Sequence, residues 1–219
     1  MKHHAPRLVS LIALLVSLLG TAAAQSFQNL NFESPVLPLT RDGFFQVAIN
    51  DAMPGWTGYI GDSRVDRVNY NAISLSAPAI TFLGPGALEP VIQGQYRVYL
   101  QPGYDGSGTQ LINVAIAQSG TISVTALSLS FYLARGTPEV YFAGSLLPAT
   151  LLGTGPGESQ LYGADISAFA GQTGELRFSG SGFLDAISFS TLPVPEPGVA
   201  ALLALGVGLM VWRGRGRWA

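Results

Sequence analysis

Short runs in which apolar and polar residues alternate recur along residues 25–192, with Gly, Pro or Asp between them. No stretch of this region repeats apolar residues every three to four positions, which is the spacing of an amphipathic helix. The alternation therefore predicts strands with one buried face, and the breaks predict turns. The strand candidates are residues 27–32, 44–50, 56–60, 96–101, 110–117, 121–133, 139–143, 175–179 and 183–190.

The candidate strand 121–133 changes phase in its middle. Its apolar residues follow one alternation up to Ala126 and the opposite alternation from Leu127 onward. A slip of one residue would turn half of the apolar set to solvent, so the sequence predicts a bulge or a bend between sheets at this point. Nine strands with turns at intervals of about ten residues predict an all-β fold, an antiparallel β-sandwich or jelly roll. At most one short helix is expected, near 165–170.

The first 24 residues have a different pattern. Lys2 and Arg7 precede an apolar run over 8–19, and small residues follow at 22–24. This order predicts a secretory signal peptide, with Ala22 and Ala24 at the cleavage site and the Sec machinery as the exporter. An uncleaved membrane anchor is the alternative, although about 12 apolar residues are few for a membrane span.

The last residues, 193–219, form a third pattern. Pro193, Pro195 and Pro197 favour an extended segment, because proline lacks a backbone N–H and disfavours helix at the residue before it. The uncharged run that follows predicts a transmembrane helix over 198–212, although about 20 Å of helix is short for a bilayer core of about 30 Å. The arginines after this run predict a cytoplasmic C-terminus. These arginines are Arg213, Arg215 and Arg217.

The order of these three parts resembles the PEP-CTERM sorting signal of exopolysaccharide-producing Gram-negative bacteria. The motif is carried by Val194, Pro195, Glu196 and Pro197. The resemblance implies recognition by an exosortase, a membrane-embedded sorting enzyme similar to cysteine proteases. The protein would be exported, held briefly in the inner membrane, cut, and left at the cell surface or in the extracellular matrix. Such tails occur on many unrelated bodies, so the resemblance implies nothing about the activity of residues 25–192.

The part of the chain between the two ends, residues 25–192 (the body), resembles the galactose-binding-like jelly rolls of secreted bacterial proteins. The resemblance is carried by the sequences LNFE at 30–33, PGW at 54–56, a strand ending LSFYLAR at 135, and FLDAISF at 183–189. In that family the closing strand often carries two adjacent acids, and here the second position is Ala186. Related jelly rolls often hold a structural calcium between the first and last strands, which implies Glu33 and Asp185 as its ligands.

Asp185 also raises a question of its own. It alternates in phase with Phe183, Ile187 and Phe189, so its carboxylate is predicted to point toward the core. A buried carboxylate needs a partner. Calcium is one candidate partner, and hydrogen bonds from backbone amides are the alternative.

Composition excludes most catalytic chemistry from the body. Cysteine is absent, and the two histidines and the lone lysine lie at positions 2–4. After cleavage of a signal peptide, no Ser-His-Asp or Cys-His nucleophile, Schiff-base lysine, P-loop lysine or His- or Cys-ligated zinc can be built. Carboxylates remain, but their spacing indicates no catalytic pair. We therefore predict that the chain is not an enzyme. A carboxylate-dependent glycosidase is kept as an alternative.

Charge and aromatic residues favour binding of sugars over binding of nucleic acid. Between the basic residues at the two ends, six arginines stand against all thirteen acidic residues, without the basic cluster that nucleic acid requires. Aromatic rings near predicted turns could stack on sugar faces, with core packing as the alternative for each. The candidate ligand-binding residues are Trp56, Tyr59, Tyr96 and Tyr104. Carbohydrate, in particular exopolysaccharide, is thus the predicted ligand. A structural matrix protein without a specific ligand is the other alternative.

Overall fold

The computed structural model describes residues 26–40, 45–88 and 91–194. The predicted signal peptide with Ala22 and Ala24, the motif residues from Pro195 onward and the transmembrane segment with its three arginines lie outside the described residues. Among the residues that are described, no helix has the length and apolar character needed to cross a membrane.

Within these ranges the chain forms sixteen strands and two short helices. The first half contains β1 (Gln46–Ala48), α1 (Ile49–Ala52), β2 (Thr57–Ile60), β3 (Ser63–Val65), β4 (Arg67–Tyr70), β5 (Ala79–Leu83), β6 (Arg97–Gln101), β7 (Gly103–Tyr104) and β8 (Leu111–Ile112). The second half contains β9 (Val114–Thr121), β10 (Ser128–Ala134), β11 (Pro138–Phe142), β12 (Ser145–Leu147), β13 (Thr150–Thr154), β14 (Gln160–Asp165), a 3-10 helix (Ser167–Phe169), β15 (Thr173–Gly180) and β16 (Gly182–Ser190).

The strands assemble into two large sheets and one small ribbon. The eight-stranded sheet has the order β1-β4-β5-β6-β16-β10-β14-β13, and the six-stranded sheet has the order β12-β11-β15-β9-β2-β3. Strands β7 and β8 form the ribbon. Neighbours pair antiparallel except β4 and β5, which are parallel. The prediction of an all-β fold with antiparallel sheets is confirmed.

One apolar core joins the two large sheets. Phe131 of β10 meets Phe178 of β15 edge to face, with ring centroids 5.2 Å apart, so the inner faces of the two sheets are in direct contact. The same cluster contains apolar residues from both sheets, among them Val98, Leu184 and Phe142. This is the arrangement of a β-sandwich, in which alternate residues of each strand fill the space between the sheets.

The predicted phase change near Ala126 is a change of sheet. Strand β9 ends at Thr121 in the six-stranded sheet, and β10 begins at Ser128 in the eight-stranded sheet. The connection contains a turn in which the Ala126 N–H donates to the Ser123 carbonyl at 3.0 Å, and Val124 at its tip is 78% exposed. The single strand expected over 121–133 is therefore wrong, and the bend between sheets is confirmed.

Other strand predictions had mixed outcomes. Strands β2, β6, β11, β15 and β16 lie where they were expected, and the 3-10 helix falls within the expected helical stretch. Residues 27–32 are a turn and not a strand, because Asn29 and Phe32 have positive φ angles of 48° and 59°. In the predicted strand 44–50, the described residues 45–50 contain β1 as their only strand, and α1 begins at Ile49. The strands that were not predicted are β3, β4, β5, β7, β12, β13 and β14.

Candidate functional site

A bulge in β16 determines where the candidate site lies. The register between β16 and β10 shifts between Ser130 and Tyr132, so β16 carries one extra residue there. Ala186 lies at the shift with φ of 48°, a left-handed conformation that costs a non-glycine residue about 1–2 kcal/mol. Bulges often occur beside functional sites, where they redirect side chains.

The bulge separates residues that the sequence placed on one face. Ile187 lies in the core between the sheets. Phe183 lies in a second cluster, with Leu83, Ile92 and Ala134. The prediction that Phe183, Asp185 and Ile187 share a face is therefore wrong, because the extra residue reverses the alternation after Asp185.

Asp185 and Glu33 both bind the loop 91–96, which precedes β6. The Asp185 Oδ2 atom accepts the N–H of Gln93 at 2.9 Å, and its Oδ1 atom accepts the N–H of Ala186 at 2.6 Å. The Glu33 Oε1 atom accepts the N–H groups of Gln95 and Tyr96, each at 2.8 Å. Two carboxylates from opposite ends of the body thus hold one loop through its main chain.

The loop reaches these carboxylates because it contains Gly94. This residue has φ of 59°, and a Cβ atom on it would collide with the carboxylate of Glu33. A larger residue would have to be strained in its backbone and would also displace the acceptor of two hydrogen bonds. Glycine is therefore required for the close approach of loop and carboxylate.

Burial dominates the electrostatics of Asp185. The side chain is 0% exposed, and loss of solvation raises its pKa to about 7. The N–H groups of Gln93 and Ala186 lower this pKa, the charge of Glu33 raises it, and Arg97 lowers it. Arg97 is 1% exposed. It precedes Val98 on β6, and Asp185 follows Leu184 on β16; because Val98 and Leu184 are register partners in antiparallel strands, Arg97 and Asp185 take neighbouring positions. Asp185 and Arg97 are thus buried behind the loop, and Glu33 is partly exposed.

A cleft of about 400 Å³ opens beside this cluster. Its walls come from the turn near Asn31, from the loop 91–96, from β10 and from the β16 bulge. The lining residues are Leu30, Asn31, Gln93, Tyr132, Ala186, Ile187 and Ser188. Clefts of this size with a few convergent polar groups are typical of small-molecule sites.

The walls of the cleft contain strained backbone on two sides. Ala186 forms one wall, and Asn29 and Phe32, which have positive φ, flank the Leu30 and Asn31 of the other. The two walls are tied together, because the Ile187 N–H donates to the Leu30 carbonyl at 3.0 Å. Strain of this kind persists only where the surrounding structure enforces it, and it concentrates at ligand sites.

Trp56 and Tyr96 are core residues near the cleft. Trp56 is 1% exposed, packs against Phe32 with ring centroids 5.6 Å apart, and donates its indole N–H to the Asn29 carbonyl at 3.0 Å. Tyr96 stacks on Phe82 with centroids 5.1 Å apart, and burial raises its pKa. Neither ring presents a face to a ligand, so core packing is the better interpretation of both.

Tyr59 and Tyr104 lie away from the cleft. Tyr59 is on β2 of the six-stranded sheet, where the guanidinium carbon of Arg177 is 4.5 Å from its ring centroid. Tyr104 is on the β7–β8 ribbon and is 57% exposed. The structure brings Glu33, Asp185 and the main chain of Tyr96 together, and it does not bring these two tyrosines to them.

The residues at Glu33 and Asp185 do not fit a calcium ion well. Calcium requires six to eight oxygen ligands, whereas three of the four carboxylate oxygens here accept backbone N–H groups. Among the described residues, no group of three or more Asp, Glu, His or Cys side chains could hold a metal ion. The donor set favours the amide alternative, and calcium stays a prediction.

The cleft is assembled from four segments that are distant in sequence, near 31, 93, 132 and 187. A scan against protein-family models and a search of the curated proteins gave no match to this chain. The two resemblances noted in the sequence therefore stay predictions, and the function has to be inferred from the residues of the site.

Proposed function

We propose that this chain is an exported, non-catalytic protein of the bacterial surface or extracellular matrix that binds carbohydrate through the cleft. Export is supported by the charged, apolar and small residues at 1–24, and sorting by an exosortase is supported by the proline motif, apolar run and arginines at 193–219. A galactose-binding-like jelly roll is the finer fold that agrees with the two-sheet architecture.

The lining of the cleft carries the proposal of a sugar ligand. Asn31 and Gln93 contribute amides, Ser188 contributes a hydroxyl, and Tyr132 contributes an aromatic ring with a phenol. Amide and hydroxyl groups both donate and accept hydrogen bonds, as sugar hydroxyls do. An aromatic ring supplies an apolar face on which a sugar ring can stack.

The position of Asp185 favours binding over glycosidase chemistry. Its raised pKa is a property that a general acid would need. However, the carboxylate is fully buried, and its two oxygens accept the N–H groups of Gln93 and Ala186, whose residues form the wall. A substrate in the cleft would be separated from the acid by that wall, so a proton could not be transferred directly.

The sugar site is tested by binding measurements on the full chain in mild detergent. A glycan array should show retention of at least one glycan, and Asn31→Ala and Gln93→Ala should weaken it about tenfold each, because each removes one amide partner. Gln95→Ala is the matched control, since Gln95 is an exposed neighbour outside the cleft. Retention of no glycan would leave the structural matrix protein as the better proposal.

Sorting is tested separately in the producing bacterium. Cell fractionation with C-terminal mass spectrometry should find wild-type protein that has lost the arginine-rich end, at the surface or in the medium. The Glu196→Ala variant should keep its tail in the inner membrane. Wild-type protein recovered from the cytosol with an intact C-terminus would contradict export and sorting together.

A further inference from the structure

We infer that the cleft selects neutral sugars and rejects acidic ones because of the wall formed by loop 91–96 and the β16 bulge; this inference rests on the proposed function. The first observation is the lining itself. It contains no arginine, lysine or histidine, and its polar side chains are two amides, one serine hydroxyl and one phenol. A uronate carboxylate in the cleft would find no cationic partner among these residues, although protein sites for carboxylates commonly supply arginine.

The second observation concerns the main chain of the wall. Backbone N–H groups can bind anions without any cationic side chain when several point into one concavity. Here the N–H groups of Gln93 and Ala186 donate to Asp185, and that of Ile187 donates to the Leu30 carbonyl. Three of the seven lining residues thus have their N–H groups occupied by acceptors of the protein.

The third observation is the charge directly behind the wall. Asp185 contacts two lining residues through their N–H groups, and Glu33 accepts the N–H groups of Gln95 and Tyr96 in the same loop. Arg97 offsets one negative charge, so a net negative charge remains behind the wall once Asp185 has lost its proton, above about pH 7. Interactions across a low-dielectric protein wall are screened less than those in water, so the remaining charge disfavours an anion in the cleft.

The groups that remain for a ligand are therefore neutral. The Oδ1 atom of Asn31 accepts the Glu33 N–H at 3.4 Å, which directs its Nδ2 atom elsewhere as a donor. The Ser188 hydroxyl shares a hydrogen bond of 2.8 Å with Ser130. These partners match the hydroxyl groups of an uncharged hexose. Asp185 and Glu33 act on specificity through the wall, as positioning residues, and do not touch the ligand.

The test uses an array of paired glycans, in which each neutral hexose stands beside the uronic acid of the same linkage. The probes are oligosaccharides of glucose and glucuronate, galactose and galacturonate, and mannose and mannuronate. For the full chain at low salt and pH 8, where Asp185 is ionised, we expect a neutral member to bind about tenfold or more tightly than its uronate partner. Added salt should reduce this ratio, because screening weakens the repulsion.

A charge substitution gives the matched comparison. Gln93→Arg places a cation on the lining and should shift the ratio toward the uronate by about tenfold. Gln95→Arg adds the same charge at an exposed position outside the cleft and should leave the ratio nearly unchanged. Tighter binding of uronates by the wild type, or equal shifts in the two variants, overturns the inference while leaving sugar binding intact. Absence of binding to every probe overturns the proposed function and the inference with it.

Discussion

Replacing Asp185 with Asn removes one buried ionisable group and leaves the size of the side chain almost unchanged. The effect on stability should depend on pH, because burial raises the pKa of this carboxyl from 3.8 to about 7. In the folded protein the carboxyl keeps its proton up to neutral pH, whereas in the unfolded chain it loses the proton near pH 4. Between these values the folded state binds more protons, so the free energy of unfolding falls as pH rises.

The size of the effect follows from the pKa values. A difference between 3.8 and about 7, at roughly 1.4 kcal/mol for each pH unit, amounts to about 4 kcal/mol. This cost is absent below pH 4 and complete above pH 7. Asparagine does not ionise, but it offers one acceptor oxygen where Asp185 uses two. One N–H group, of Gln93 or of Ala186, would lose its partner at a cost of about 1–3 kcal/mol.

Urea unfolding at intervals from pH 5 to pH 8 measures both the cost of ionising Asp185 and the cost of the hydrogen bond that the Asn variant loses. Asp185→Asn should be less stable than the wild type at pH 5, and the difference should close or change sign by pH 8. Asp165→Asn is the control, because hydrogen bonds from Ser167 lower the pKa of Asp165 and the group does not titrate in this window. A wild type whose stability is constant from pH 5 to pH 8, with an Asn variant equally weaker throughout, would refute the reasoning. It would mean that Arg97 and the N–H groups outweigh burial.

Three further predictions concern the same region. Trp56→Ala should lower the free energy of unfolding by about 3–5 kcal/mol, measured by urea denaturation, because a large core ring is lost; a loss under 1 kcal/mol would contradict this packing. In the same urea measurement, Gly94→Ala should lower the free energy of unfolding by about 2–4 kcal/mol, because alanine is strained in a left-handed conformation and its Cβ atom displaces Glu33. Gly106 has open space around it, so Gly106→Ala should lower this free energy by under about 1 kcal/mol. Thermal melts with EDTA and with added calcium should coincide, because the carboxylate oxygens accept backbone N–H groups. A melting temperature that rises with added calcium would favour the calcium prediction instead.

The fold was predictable to the extent that its strands alternate. Strand β15, for example, has one face in the core, so polar and apolar residues alternate and reveal it. Strand β5 was missed because all five of its residues are buried, which removes the alternation. Strands β12 and β13 were missed because they lie at sheet edges and several of their residues are exposed.

The candidate site was predictable only in part. The family resemblance implied Glu33 and Asp185 together as calcium ligands; the structure places both against loop 91–96, and the calcium itself stays a prediction. The partner itself, the main chain of loop 91–96, leaves no trace in side-chain chemistry beyond Gly94 between two glutamines. The role of the aromatic residues could not be predicted from sequence, for a different reason. A tryptophan or tyrosine beside a turn has the same sequence pattern whether its ring fills the core, as Trp56 does, or faces solvent.

The other wall of the cleft, formed by residues 27–34, shows how the body builds a candidate site without lysine, histidine or cysteine. The segment is not a strand, and separate polar contacts attach it to the rest of the molecule. Gln118 Nε2 donates to the Gln28 carbonyl at 2.9 Å, Trp56 donates to the Asn29 carbonyl, and Glu33 accepts two N–H groups of the loop opposite. Sheet hydrogen bonds survive most side-chain changes, whereas each of these contacts depends on one side chain. Substitutions at Gln118 or Trp56 should therefore alter the cleft even though neither residue lines it. Gln118→Ala should change glycan binding while the fold stays intact, and unchanged glycan binding would mean that this contact does not hold the wall in place.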